Sequence, residues 1–217
     1  MERIWSSALP EHAGEEVSLA GWIHRFRHLS GVSFLILRDA KGLAQIVIDD
    51  PALVAEIARL PLESVVAVTG DAVAVEQAPN GVEVHDPRIE VVSEAAAPPP
   101  FDLFRPKIQA QLPTQLDHAP VALRHLRARA LARLSATLVA GFRSTLTDLD
   151  FTEIHTPKIV AAATESGANV FAIDYFGRPA FLAQSPQLYK QIMVGVFERV
   201  FEVGPVFRAE PHDTPRH

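Results

Sequence analysis

Residues 184–190 read QSPQLYK; RVFEVGPVFRAE follows at 199–210 and TPRH at 214–217. Fewer than forty residues thus carry Ser185, Gln187, Lys190, Arg208, Glu210 and Arg216 around two apolar, strand-like runs. Cations set among neutral donors on a sheet make a site for a small amino acid and a polyphosphate. A guanidinium bonds phosphate oxygens in pairs, so Arg208, at the end of VFEVGPVFR, is the candidate for charge developing on a phosphate. Glu210, two residues on, shares its face if the strand continues. A turn through Pro211 and Pro215 is expected to fold Arg216 and His217 back toward outer phosphates. A lone arginine is ordinarily half of a surface salt bridge; the FRAE…RH spacing argues against that here. Pro186 is expected to start a helix continued by Gln187 to Lys190, whose N-terminus favours an anion nearby.

Composition bounds the rest. The 217 residues are 48% hydrophobic, enough for one large domain or two small ones. No apolar run reaches the ~18 residues of a membrane-spanning helix, and MERIWSSALPEH lacks the basic and apolar regions of a signal peptide, so cytoplasm is the default expectation. Zero cysteines exclude disulfides and thiolate metal sites. Histidines 12, 24, 28, 85, 118, 125 and 155 are too scattered for a zinc centre, and no metal site is expected in this segment. Residues 1–97 hold seven Lys+Arg against fifteen Asp+Glu, a balance of -8, and residues 98–217 carry +2. A domain-wide basic footprint for RNA is missing, so any RNA contact must rest on stacking and local patches such as His24, Arg25, Arg27 and His28.

Residues 17–28, 33–38, 43–49, 64–76 and 88–92 are rich in Val, Ile and Leu and are separated by Gly21, Gly31, Gly42, Gly70 and the Pro79-Asn80-Gly81 turn. Five strands with one short helix near 52–60 match a small Greek-key barrel of the OB type. A plain five-stranded sheet without a ligand fits the pattern as well. SEAAAPPP at 93–100, with prolines at 106, 113 and 120, reads as a stiff hinge. This gives an all-β domain at 1–97, a hinge at 98–120 and an α+β domain at 121–217. The last opens with a helix from Val121 to Leu149, whose stripe runs Leu123, Leu126, Ala130, Leu134, Leu138, Phe142, Leu146. Its arginines at 124, 127, 129, 133 and 143 read as a solvated face. Residues 151–157, FTEIHTP, read as a strand ending at Pro157, which cannot donate to a ladder and so suits an edge or interface.

QSPQLYKQ together with FRAE…TPRH resembles the amino-acid pocket and motif 2 of archaeal-type aspartyl-tRNA synthetases, a lineage that includes the asparaginyl enzymes. The resemblance covers essentially the whole chain and implies an OB-fold barrel followed by a class II catalytic domain, an antiparallel sheet flanked by helices. It places His217 inside the motif 2 loop, with motif 3 absent, so a longer protein is expected. The activity implied is ligation: L-aspartate attacks the α-phosphate of ATP, and the aminoacyl group passes to tRNA, with Mg2+ assisting. Positioning and charge stabilisation carry such chemistry without a protein nucleophile. The resemblance implies Arg208 as catalytic, Glu210, Arg216 and His217 with it on ATP, and Ser185, Gln187 and Lys190 on aspartate, Lys190 toward the β-carboxylate. Glu165, in ATESGANVF, matches the family's flipping loop and would meet the ammonium; Ser166 stands where many relatives have glycine. Helix, strand and Pro157 resemble motif 1, the homodimer interface.

GWIHRFR, GVSFLILRD and GLAQIVID resemble the anticodon-binding barrel of aspartyl, asparaginyl and lysyl synthetases. Phe34 would stack on the middle anticodon base, Gln45, Arg25 and Arg27 would take base edges and phosphate, and Glu90, in RIEV, would accept from a guanine. A strand phenylalanine is otherwise a core residue. Lysyl enzymes differ after the motif 2 arginine and asparaginyl enzymes lack the pocket lysine, so Lys190 favours aspartate. Relatives that discriminate between tRNA(Asp) and tRNA(Asn) carry a bulky aromatic two residues beyond the GW pair and a lysine after the turn proline; here those places hold His24 and Asn80. The expectation is an enzyme that charges both tRNAs, with an amidotransferase downstream. An asparaginyl-tRNA synthetase and a non-catalytic tRNA-binding paralogue are the alternatives; a single-strand-binding OB protein would leave Lys190 and Arg208 without purpose.

Overall fold

The computed structural model describes residues 2–29, 31–162 and 169–210. The chain divides into two compact units, residues 1–129 and 130–217.

In the first unit β1 (Glu16–Leu29), β2 (Val32–Arg38), β3 (Leu43–Ile48), β4 (Val65–Ala74) and β5 (Val82–Ser93) close a barrel in the order β1-β2-β3-β5-β4. Its neighbours pair antiparallel except β3 and β5, which run parallel through Gln45–Glu83 and Ile46–Val84. Alternate residues point inward, so Val17, Leu19, Leu35, Leu37, Ile46 and Val68 fill one core. The helix α1 (Pro51–Ile57) lies between β3 and β4 in sequence and sends Ile57 into that core. Asp50 caps it by accepting the Ala52 N–H at 2.9 Å, and Pro51 takes the first turn, where a missing donor is harmless.

The fifth strand departs from the expectation of 88–92: it starts at Val82, immediately after the Pro-Asn-Gly turn. A proline inside a run argues against a strand, but Pro87 sits at a bulge. Asp86 has φ 47°, and the register against β4 shifts between Thr69 and Asp71. Gly70 makes the bulge possible, because a Cβ there would lie 2.5 Å from the His85 carbonyl oxygen.

Between barrel and second unit, residues 98–120 are more than a spacer. They carry α2 (Leu112–Asp117) and the start of α3 (Ala119–Ala122), and Phe101 and Leu103 bury with Ala122 in a small cluster of their own. The helix expected as one piece from 121 to 149 is two, because α4 runs Leu126–Asp148. His125 makes the break. It is buried, its carbonyl accepts the Arg129 N–H at 3.0 Å, its Nδ1 accepts the Arg127 N–H at 3.2 Å, and its Nε2 donates to the Arg105 carbonyl at 2.8 Å. No described residue of α4 is buried; Leu134, Leu138 and Phe142 are more than half exposed.

The second unit also holds β6 (Thr152–Glu153), β7 (Ile159–Val160), β8 (Ala172–Tyr175), β9 (Arg178–Leu182), α5 (Gln187–Phe197) and β10 (Val200–Phe201). The strands β7-β9-β8 are antiparallel, as expected of the sheet, but β6 and β10 pair in parallel. The strand expected through VFEVGPVFR stops at Phe201, and that expected through FTEIHTP spans two residues. Pro205 has no N–H to give a ladder, so Arg208 and Glu210 lie outside regular strand and the alternation argument does not place them. Among the described residues, no helix is long and apolar enough to cross a membrane.

Candidate functional site

In the second unit, single backbone bonds do what a regular strand was expected to do. The Ala183 N–H donates to the Lys158 carbonyl at 2.9 Å, and the Phe207 N–H donates to the Ala183 carbonyl at 2.9 Å. Arg208 therefore follows directly on a rung whose other end is two residues before Ser185. The Ala209 N–H donates to the Asn169 carbonyl at 3.0 Å, which ties the stretch between Arg208 and Glu210 to the segment after the ATESGA loop. Three segments distant in sequence thus meet at one place. Ser185 Oγ accepts the Gln187 N–H at 3.1 Å and caps α5, with Pro186 at the N-cap. Gln187 is exposed and Lys190 half-buried one turn on, and the Lys190 N–H closes the turn on the Pro186 carbonyl at 2.9 Å. Arg208 and Glu210 are exposed. Glu165, Arg216 and His217 lie outside the described residues.

A polar tie connects to this site through Lys158, whose carbonyl takes the Ala183 N–H. The Glu202 side chain, 5% exposed, accepts from the Thr156 N–H at 2.9 Å, from Thr156 Oγ1 at 2.9 Å and from Lys158 Nζ at 2.8 Å. Burial alone would raise its pKa, but bonds from Lys158 and Thr156 outweigh burial and hold it below the usual carboxylate range. Pro157 stands exposed between the two donor residues. Among the described residues, no group of three or more His, Asp or Glu is arranged to hold a metal ion.

On the barrel, register puts Arg27 opposite Phe34, and Gln45 between Ile36 and Glu83, on the outer face of β1, β2, β3 and β5. The Arg27 guanidinium stands 5.7 Å from the Phe34 ring centre and donates to Gln45 Oε1 at 3.2 Å. Gln45 Nε2 donates to Glu83 at 2.8 Å, and Glu83 meets His85 Nε2 at 2.9 Å. Phe34 is half-buried, leaving part of the ring to stack on a base. Arg27 Nε is buried without a hydrogen-bond partner, an unusual state for a guanidinium nitrogen. Arg25 lies 4.4 Å from the ring centre of Phe104.

Two residues expected at this face are placed elsewhere by the structure. Glu90 faces Ala67 on β4, in a row away from Phe34 and Gln45; the carboxylate brought to Gln45 is that of Glu83. The signal was VEV directly after the turn, masked by reading Pro87 as the strand's limit. His24 is not displayed to a base either. It is 5% exposed at the β1 bulge, and its Nδ1 accepts from Arg38 Nη1 at 2.9 Å. Arg38 also forks onto Glu63 at 2.8 and 2.7 Å, Arg124 reaches Glu63 at 2.7 Å, and the Trp22 ring lies under both guanidiniums. Burial, then the Arg38 charge, lowers the His24 pKa to about 4, so the ring is neutral. Glu63 is pushed up by burial but held below its usual range by Arg38 and Arg124. Asn80 is exposed on the turn at φ 62°, with its Nδ2 donating to the Leu43 carbonyl at 3.2 Å.

A closed five-stranded barrel with an aromatic-basic face, joined to a sheet-and-helix unit with converging polar segments, defines a class. Residues 17–92 match the family model of the OB-fold nucleic acid binding domain, and residues 111–217 match that of the class II tRNA synthetases (D, K and N). Over these stretches the chain belongs to the class II tRNA synthetases, with an OB-fold anticodon-binding domain. Such enzymes use ATP. It is 48% identical over 218 residues to the aspartate–tRNA(Asp/Asn) ligase of Deinococcus radiodurans, covering 100% of this chain and 48% of that one. It is 45% identical over 213 residues to the protein of the same name from Archaeoglobus fulgidus, covering 96% and 49%. The chain thus spans about half the length of the curated relatives it matches. Among solved structures, asparaginyl-tRNA synthetase from Pyrococcus horikoshii, complexed with asparaginyl-adenylate, superposes with a TM-score of 0.91 at 33% identity, covering 100% of this chain and 50% of that one.

Proposed function

We propose that the protein to which these residues belong is an aspartate–tRNA ligase that forms aspartyl-adenylate from L-aspartate and ATP and charges both tRNA(Asp) and tRNA(Asn). The observation that carries this reading is the pair of rungs Lys158–Ala183 and Ala183–Phe207, which sets Arg208 beside the segment of Ser185, Gln187 and Lys190. Arg208 stabilises charge developing at the α-phosphate, Lys190 takes the β-carboxylate, and Glu210 takes the adenine amino group. Glu165 meets the ammonium, while Arg216 and His217 take the outer phosphates. Magnesium enters with ATP. On the barrel, Phe34 stacks on the middle anticodon base, with Arg25, Arg27, Gln45 and Glu83 around it.

Charging of both tRNAs is supported by the names of the relatives and by Asn80 at the turn. The uncovered apolar stripe of α4 and the exposed Pro157 support a symmetric homodimer. An amidotransferase that converts aspartyl-tRNA(Asn), and the cytoplasm, follow as partner and place. An asparaginyl enzyme is the second reading, favoured by the Pyrococcus structure. Amino-acid-dependent exchange of pyrophosphate into ATP by the full-length protein separates the two. Aspartate is expected to support it, and exchange with asparagine alone reverses the assignment. With both purified tRNAs, a preference for tRNA(Asp) above about a hundredfold, the most one base contact supplies, defeats dual charging.

A further inference from the structure

Between Phe201, where β10 ends, and Phe207, the chain runs through Val203, Gly204, Pro205 and Val206 without a regular strand. The residue after this stretch is Arg208. A guanidinium that must meet a developing phosphate charge cannot hang on an untethered stretch, because a displacement of about 1 Å can cost roughly a hundredfold in rate.

The tether is on both sides of the stretch, and it closes on itself. At one end, the Glu202 carboxylate takes Lys158 Nζ at 2.8 Å and the Thr156 N–H at 2.9 Å. At the other, the Phe207 N–H bonds the Ala183 carbonyl, and the Ala183 N–H bonds the carbonyl of the same Lys158. Lys158 therefore holds one end of the 202–207 stretch by its side chain and the other, through Ala183, by its backbone. Its Cε and Nζ pass 3.5 Å from where a Cβ on Gly204 would sit, so the lysine stem lies along the middle of the stretch as well. The Lys158 side chain is about one quarter exposed and that of Glu202 is 5% exposed, so solvent does little to loosen the pair.

We propose that the Lys158–Glu202 ion pair is a positioning device that fixes Arg208 for adenylate formation. Neither residue touches substrate; both act through the 202–207 stretch. The inference rests on the catalytic reading of Arg208 given above.

The test uses the full-length protein, with pyrophosphate exchange at saturating ATP and varied aspartate. Lys158→Met is expected to lower kcat by roughly a hundredfold while leaving KM for aspartate within about threefold, because the bond that holds the segment before α5 uses the Lys158 backbone and survives the change. Lys158→Arg, which keeps the charge, is expected to recover most of the loss. Glu202→Gln still accepts from Thr156, so it is the variant least prone to misfold, and its kcat is expected to fall with an unchanged circular-dichroism spectrum. The decisive arm is the Arg208→Lys background, where adding Lys158→Met is expected to cost nothing further, since the two act as one unit. Losses that multiply there, or a kcat unchanged in both single variants, would overturn the positioning role. Wild-type enzyme without aspartate-dependent exchange would instead overturn the functional reading on which it rests.

Discussion

His24 gives the first unit a pH-dependent stability that can be measured without any substrate. The folded ring is neutral because burial and the neighbouring Arg38 lower its pKa to about 4, against 6.5 in an open chain. Between these values the unfolded chain binds a proton that the folded barrel does not. Falling pH therefore favours unfolding, from about 6.5 down to about 4, and the penalty saturates below. Fully expressed, the gap is worth roughly 3 kcal/mol; between pH 7 and pH 4.5 it is about 2 kcal/mol. The ring is 5% exposed, so solvent screening takes little from this. The assay is urea unfolding followed by tryptophan fluorescence. Both tryptophans, Trp5 and Trp22, lie in this unit, and Trp22 stacks under Arg38 and Arg124. His24→Gln keeps an acceptor for Arg38 but does not titrate. Its unfolding free energy is expected to fall less over that range, by about 2 kcal/mol. Equal pH slopes for wild type and variant would refute the buried, neutral histidine. Below pH 4.5 both curves should steepen as Glu63, whose folded pKa is depressed, loses the stabilisation it has above its unfolded value.

Replacing Arg208 with Lys keeps the charge and loses the fork, so pyrophosphate exchange by the full-length protein should fall by roughly two to three orders of magnitude; near-normal exchange removes Arg208 from the mechanism. Lys190→Met should abolish aspartate binding by calorimetry while the circular-dichroism spectrum stays as in wild type. Glu83→Gln should weaken tRNA binding by about 1–3 kcal/mol in filter binding, whereas Glu90→Gln should stay within about 0.5 kcal/mol; the reverse ranking restores the RIEV glutamate. Light scattering on the full-length protein should give a dimer at micromolar concentration, and a monomer there counts against the α4 stripe as an interface.

What the sequence made legible follows from where its signals are local. The barrel strands announce themselves because apolar alternation and glycine breaks act over a few residues, and four of the five strands fall close to their expected spans. The fifth does not, because Pro87 is a strong local signal whose resolution is not local: the bulge at Asp86 needs Gly70 on β4. The α4 start fails in the same way. The apolar stripe continues smoothly through residue 125, while the cap that breaks the helix depends on His125 reaching the Arg105 carbonyl, twenty residues back. His24 is the clearest case. Its neighbours in sequence, Arg25 and Arg27, face outward, but the bulge after Ile23 turns it inward, where Arg38 and Glu63 are. The residues converging around Arg208 were named from sequence, yet the bonds that bring them together run through Ala183 and Asn169, whose side chains carry no signal.

The balance of -8 over residues 1–97 is a sum over the whole unit and does not say where its charges sit. Glu63 is buried between Arg38 and Arg124, and Glu16 pairs with Arg88 across the β1–β4–β5 side of the barrel. Asp39 is spent inside the chain, accepting from Ser6, Lys41 and Gly42. Glu83 is engaged by Gln45 and His85, which makes it an orienting acceptor rather than a free anion. Pairing removes a cation with each anion, so it leaves the balance unchanged; what it fixes is where these charges sit. The outer face of β1 and β2 carries Arg27 beside the Phe34 ring, its guanidinium held by Gln45. Recognition by such a face rests on stacking and a few fixed contacts. It needs no domain-wide positive field, and a strong one would draw in any RNA backbone alike.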